Sequence, residues 1–356
     1  MFIYYLVFLI TLLIQLLPAN TNRQYLRRAA ITFIPVFFIG ALRAEWADYN
    51  AYLIEFEMAH RWIHDIQNAS EHSETGYMII NSIIPTWRLF LIITSAFTCL
   101  GFVWVMYKCV PPRMSWLMVV LFFLASDKTI FFMYSGIRNA IAIAIMCLSI
   151  MFITNKKWIP YFALTALATT IHTSAILFMP VAFLLGRNVK MTKRESWIWI
   201  GTMLVFQVIS MNVLFEQATL FASSFIDRYS EMVEHAEELG DTRTLLMRFV
   251  TAVFVCTIVW FMRETELTKT ENAVGRIALI YSMAPLLGSL HGRLAQCYIL
   301  FFISTVCFMM LKWKRKEVKI LFCGFVIMYL WFGLFKVFMR SELIDLFIPY
   351  KSILSV

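Results

Sequence analysis

Charge is what this chain lacks. Of its 356 residues only 31 are basic and 22 acidic, while 61% are hydrophobic. The few charges gather in short clusters between long apolar runs. A soluble globular protein of this length needs far more polar surface, so that class is excluded. The runs at 1–17, 89–107, 137–153, 197–214, 245–262 and 294–311 are long enough to cross a ~30 Å hydrocarbon layer as helices, which takes roughly 20 residues at about 1.5 Å each. The fold class expected is all-α, a polytopic membrane helix bundle.

Other absences narrow the function. The seven cysteines are odd in number and show no C-x-x-C spacing, which reads as small buried hydrophobes without a disulfide framework or a metal site. No Gly-rich phosphate loop occurs, so no ATP-driven step and no cofactor are expected. The N-terminal run has no basic leader and no small-residue cleavage site after it, and is expected to stay as a helix. No internal repeat is evident, which counts against a secondary transporter built from two related halves. A net charge of +9 in a soluble protein would suggest nucleic acid. Here it reads as basic loops facing anionic lipid, with the bilayer as partner and no nucleic acid.

About twelve apolar segments (10–12 allowing for short ones) lie near 2–18, 29–42, 89–107, 113–126, 136–153, 157–171, 173–186, 196–214, 244–262, 273–290, 294–311 and 319–338, so residues 1–356 form a single integral membrane domain. The stretch 77–87 is shorter and reads as a re-entrant or interfacial helix. Alternate loops carry 18 of the 31 basic residues, which the positive-inside rule assigns to the cytoplasm. Both termini and two large loops, 43–88 and the acidic 215–243, are then expected outside.

Against that topology three arginines stand out. Arg43 ends the second apolar run, and Arg138 and Arg293 open later ones, all on the side where arginine is disfavoured. Three guanidinium groups at the same edge of the bundle could form one cationic pocket for a lipid phosphate or pyrophosphate, gripped in bidentate fashion. The plainer alternative is that each one snorkels to the interface. Asp48, beside Tyr49 and Tyr52, is the favoured general base for a sugar hydroxyl; otherwise it is a solvated carboxylate or a partner of Arg43. His172, at the junction of two apolar runs, can act as acid, base or hydrogen-bond donor, or merely cap a helix. Glu74 reads as an anion at a helix N-terminus or as a sugar ligand. His60, His64 and His72 lack metal spacing. Gly136, Ala140 and Ala144 form a small-residue stripe that would let another helix pack closely beside Arg138.

The motifs Gly40-Ala41-Leu42-Arg43 with Asp48-Tyr49 and Tyr52, Glu74-x-Gly76-Tyr77, Gly136-Ile137-Arg138, Ile171-His172-Thr173-Ser174-Ala175, Gly292-Arg293 with Tyr298, and Pro349-Tyr350-Lys351 in this order resemble the EpsG family of bacterial polysaccharide polymerases, relatives of the Wzy-type O-antigen polymerases. The chain departs from the expected Gly-Thr-Asp-Tyr before Asp48, carrying Trp46-Ala47 there.

The resemblance implies a metal-independent glycosyltransferase of the GT-C type in the bacterial inner membrane, with its active site facing the periplasm or exterior. It implies as substrates undecaprenyl-pyrophosphate-linked glycans, extended one repeat unit at a time into O-antigen, capsule or exopolysaccharide. A chain-length regulator protein is an implied partner. Arg43, Arg138 and Arg293 would bind pyrophosphate, Asp48 or His172 would activate the acceptor hydroxyl, and Tyr49, Glu74 and Tyr77 would contact sugar. Two other readings stay open: a lipid-linked oligosaccharide flippase, and an O-antigen ligase or membrane acyltransferase.

Overall fold

The computed structural model describes residues 2–44, 46–61, 74–179, 181–182, 190–208, 241–286, 291–339, 347–348 and 350–352. Among them are fourteen α-helices, three short 3₁₀ turns and one isolated antiparallel bridge between Arg43 and Ser352. The helices are α1 Phe2–Ile14, α2 Asn22–Ala41, α3 Tyr49–Arg61, α4 Thr75–Ile83, α5 Trp87–Cys109, α6 Ser115–Leu124 and α7 Ile130–Ser135. They continue with α8 Ile137–Thr154, α9 Trp158–Ile171, α10 Lys193–Val208, α11 Asp241–Glu264, α12 Lys269–Met283, α13 His291–Lys312 and α14 Lys316–Met339.

Helices α5, α11, α13 and α14 contain stretches long and apolar enough to cross a membrane, and α1, α6, α8 and α9 supply shorter apolar helices. The chain is a multi-pass membrane helix bundle. Its centre is α13, fully buried from Cys297 to Phe308. Its edge is α14, which turns Ile320, Leu321, Met328 and Trp331 outward, the apolar face that lipid requires.

Local chemistry sets the helix starts. Thr21 and Gln24 form a reciprocal capping box at α2, and Thr268 and Glu271 form another at α12. The Thr86 hydroxyl accepts the Leu89 amide at 3.3 Å to open α5. Neighbouring helices α2 and α5 run antiparallel. The Tyr25 hydroxyl at the start of α2 reaches the Met106 and Val110 carbonyls at 2.7 and 2.8 Å, whereas Arg43 beyond its end reaches Ser95 near the start of α5. The small-residue stripe of α8 is buried at Ala140 and Ala144, where the helix packs on α5 and α9.

Two expectations change. The stretch 43–88 is not simply a loop: α3 and α4 pack on each other, and at about 20 Å and 14 Å they are too short to span. Segment 173–186, expected as an apolar span, opens as a 3₁₀ turn over Thr173–Phe178. Polar side chains at its start are held by distant partners, His172 just before the turn by Glu74 and Ser174 within it by Asn139, contacts that compete with a regular helix. Residues 62–73, 183–189 and 209–240 lie outside the described residues, and with them most of the 215–243 loop.

Candidate active site

The end of α2, the starts of α8 and α13, the end of α9 and the short helices α3 and α4 meet at one end of the bundle. Glu74 immediately precedes α4, and its backbone carbonyl accepts the Tyr77 and Met78 amides at 3.0 and 3.1 Å. Its side chain does not cap the helix. One carboxylate oxygen accepts Arg138 Nη1 at 2.7 Å, and the other pairs with His172 Nδ1 at 3.0 Å. His172 has two roles: its amide closes α9 on the Ala168 carbonyl at 2.9 Å, and its ring reaches Glu74.

Gly76 makes that reach possible. A Cβ there would lie 2.3 Å from Thr170 Oγ1 and 2.8 Å from the Thr170 carbonyl oxygen, so α4 can lie against the end of α9 only with glycine at this position.

Arg138 lies beside two rings, with its guanidinium 5.4 Å from the Tyr52 centroid and 5.5 Å from that of Tyr77, a cation–π arrangement. Glu55 on α3 adds a second carboxylate, 3.6 Å from Nη1. One guanidinium therefore faces two carboxylates, and this part of the site is mixed in charge where a cationic pocket was expected. Burial pushes the Glu74 carboxyl upward, but the His172 hydrogen bond and the Arg138 charge outweigh it and hold Glu74 down to about 2. Glu74 is thus a fixed anion at any working pH. An ionised carboxylate only accepts hydrogen bonds, so Nδ1 of His172 carries the proton and Nε2 is left as the basic nitrogen.

A buried amide network extends the site. Ser174 Oγ donates to Asn139 Oδ1 at 2.9 Å, and Asn139 Nδ2 donates to Gln296 Oε1 at 3.1 Å. Asn139 follows Arg138, and Gln296 lies three residues after Arg293 on α13. The backbone of Arg293 is thereby placed about one turn from the network; its side chain lies outside the described residues.

Arg43 is set deeper, 1% exposed. Its Nη1 donates to the Gly40 carbonyl and, at 3.1 Å, to Ser95 Oγ, and its guanidinium lies 5.4 Å from the Tyr134 ring centroid. Gly40 admits this packing, since a Cβ would lie 2.3 Å from Tyr134. Tyr134, whose ring lies against Arg43, is four residues before Arg138 in the chain, so the two arginines that the sequence separates lie at the same end of the bundle.

Asp48 is exposed and takes a left-handed backbone, φ 59°, where the chain turns into α3; aspartate tolerates this conformation better than most residues. Its carbonyl accepts the Tyr52 amide at 3.0 Å. Tyr49 is half-buried, edge-on to Trp87 at 5.4 Å. Sequence reasoning gave no role to Glu55, Asn139, Ser174 and Gln296, although Ser174 lies inside the 171–175 motif and Glu55 lies three residues after Tyr52, on the same helical face. No group of three or more metal-binding side chains occurs among the described residues.

This end of the membrane bundle thus carries a fixed carboxylate, an oriented imidazole and two arginines held by their neighbours. In comparison with protein families, the EpsG family matches residues 27–352. The chain belongs to the EpsG family, which is associated with exopolysaccharide biosynthesis. Comparison with curated proteins and with solved structures gives no match.

Proposed function

We propose that the protein is a membrane glycosyltransferase that polymerises undecaprenyl-pyrophosphate-linked repeat units into O-antigen, capsule or exopolysaccharide at the outer face of the bacterial inner membrane. The observation that carries this reading is the Arg138–Glu74–His172 relay, which joins a phosphate-binding type of residue to an oriented base through one carboxylate. In the reaction the acceptor sugar hydroxyl attacks the anomeric carbon of the donor glycan. The carbon–oxygen bond to pyrophosphate breaks, and the leaving oxygen keeps the electron pair. His172 Nε2 takes the hydroxyl proton, with Glu74 stabilising the resulting imidazolium. Arg138, with Arg43 and Arg293, stabilises the charge developing on pyrophosphate.

Both Asp48 and His172 are candidates for the base. His172 has an orienting carboxylate and partial burial, whereas Asp48 is exposed, so we assign the proton to His172 and leave Asp48 to orient a sugar hydroxyl, with Tyr49 as a further sugar contact; Tyr77, expected as another, is fully buried and packs against Arg138 instead. The orientation is read from the basic loops by the positive-inside rule, and on that reading the relay faces outside. A flippase would call for charge along a central path, but α13 is apolar for most of its buried length.

Glycan length in a strain lacking the protein tests the reading. Single-repeat glycans support a polymerase. Complete loss of surface glycan would indicate a flippase, and normal chains retained on the carrier lipid a ligase.

A further inference from the structure

The C-terminal segment has no role in the chemistry above, yet it contacts Arg43 more intimately than any acidic group does. The backbones of Arg43 and Ser352 form an antiparallel bridge, and the Ala44 amide donates to the Lys351 carbonyl at 2.9 Å. The Tyr350 hydroxyl donates to the Ile39 carbonyl at 3.0 Å. Helix ends leave their last carbonyls without intrahelical partners; at the end of α2 Ile39 accepts from Tyr350 and Gly40 from Arg43 itself. One turn earlier the Val36 carbonyl accepts from Tyr134 Oη at 2.9 Å.

Aromatic packing fixes the same segment. The Tyr350 ring lies edge-on to Trp46 at 6.0 Å and to Tyr4 at 6.1 Å. Phe347 stacks on Phe131 at 4.8 Å and meets Trp46 at 5.4 Å, while its carbonyl accepts Tyr4 Oη at 2.9 Å. Phe131 belongs to α7, the helix that presents Tyr134 to the Arg43 guanidinium. The C-terminal segment thus grips Ile39 before Arg43 and Ala44 and Trp46 after it, and Tyr4 braces that segment from behind.

No carboxylate pairs with Arg43 among the described residues, in contrast to Arg138. A buried guanidinium without a counter-charge must be held in place by neutral groups, and it keeps its charge for an incoming anion. We propose that Tyr350 is a positioning residue for Arg43: by tying the C-terminal segment to the end of α2 it fixes the guanidinium in its seat beside Ser95 and the Tyr134 ring. The inference rests on the reading of Arg43 as a pyrophosphate ligand.

The full-length protein in lipid nanodiscs, treated with p-hydroxyphenylglyoxal and mapped by mass spectrometry, tests the placement without any polymerase assay. In the wild type the exposed Arg88 is modified and Arg43 is protected. Tyr350→Phe, which loses only the hydroxyl, raises Arg43 modification severalfold relative to Arg88. Tyr350→Ala raises it more, while Arg28, buried at the far end, stays protected as the control for an intact fold. If Tyr350→Ala unfolds the protein, Arg28 reacts as well and Tyr350→Phe decides.

In a chain-extension assay Tyr350→Phe raises KM for the lipid-linked repeat by up to about tenfold, the scale of one lost hydrogen bond, with kcat within twofold. A purely structural role would lower the amount of folded protein and leave KM unchanged. Arg43 as protected in Tyr350→Phe as in the wild type overturns the proposal, and so does an unchanged KM. A wild-type protein that extends no glycan would defeat the polymerase reading and leave the labelling result to decide the positioning.

Discussion

The two ends of the bundle treat arginine differently. At the end where α2 begins, the charges that bridge helices are matched among the described residues, by carboxylates or, for Arg28, by neutral oxygens. Arg28 donates to the Gln15, Leu17 and Pro112 carbonyls at 3.2, 3.0 and 2.6 Å and to Ser115 Oγ at 2.9 Å. Arg276 forms a bidentate pair with Glu195 at 2.7 and 3.0 Å. Lys312 meets Glu271 at 2.6 Å, and Arg315 meets Glu264 at 3.0 Å. At the site end the matching is uneven: Arg138 shares two carboxylates and a histidine with them, and Arg43 has no carboxylate partner among the described residues. One-to-one pairing suits groups that staple helices together. Uneven pairing leaves charge that a ligand can complete, which is the pattern of intramembrane charges kept for function.

Substitutions at the two ends should therefore separate activity from stability. The largest loss of activity is expected from Arg138→Lys, which keeps the charge but not the planar fork. Chain extension should fall on the order of 10²–10³-fold while the protein still inserts, measured with purified enzyme and a lipid-linked repeat. Activity within a fewfold of wild type would reduce Arg138 to a structural cation like Arg276.

Glu74→Gln comes next, at roughly 10–10²-fold, because the amide no longer fixes the His172 tautomer. It also carries a pH signature. The Glu74 carboxyl is depressed from 4.5 to about 2, so its stabilising contribution is complete above pH 4.5 and is lost as pH falls toward 2. The thermal stability gap between wild type and Glu74→Gln should close as pH falls from 4.5 toward 2. A gap that persists unchanged down to pH 2 would place the shifted carboxyl elsewhere.

Gly76→Ala should act more gently, forcing α4 off α9. We expect a stability loss of about 1–3 kcal/mol and a rise in KM, read from denaturation and kinetics together.

The opposite end should respond in the opposite sense. Arg276→Ala leaves Glu195 without its partner and should cost about 3–5 kcal/mol of stability, with unchanged turnover per folded molecule. Arg315→Ala, at the exposed pair, should change neither property measurably.

The sequence exposed this contrast only in part. Helix class, apolar spans and the outlying Arg138, Glu74 and His172 were legible because charge is rare in an apolar chain, and each exception stands out. Their joining was not legible, since Glu74 and His172 lie 98 residues apart and nothing local links them. Asp48 drew attention through its tyrosine neighbours, a pattern that carries no information on exposure. Glu55 was hidden in what read as a loop. Tyr350 was noticed only as part of a motif, because its contact with Ile39 spans 311 residues.

The most direct test of the account is the rate of chain extension by His172→Ala, with and without added imidazole. The account predicts a loss of about 10²–10⁴-fold, partial recovery with imidazole, and a loss under tenfold for Asp48→Asn measured alongside. Near-normal extension by His172→Ala together with abolished extension by Asp48→Asn would contradict it, moving the base to Asp48 and leaving the Glu74–His172 pair as a brace between α4 and α9.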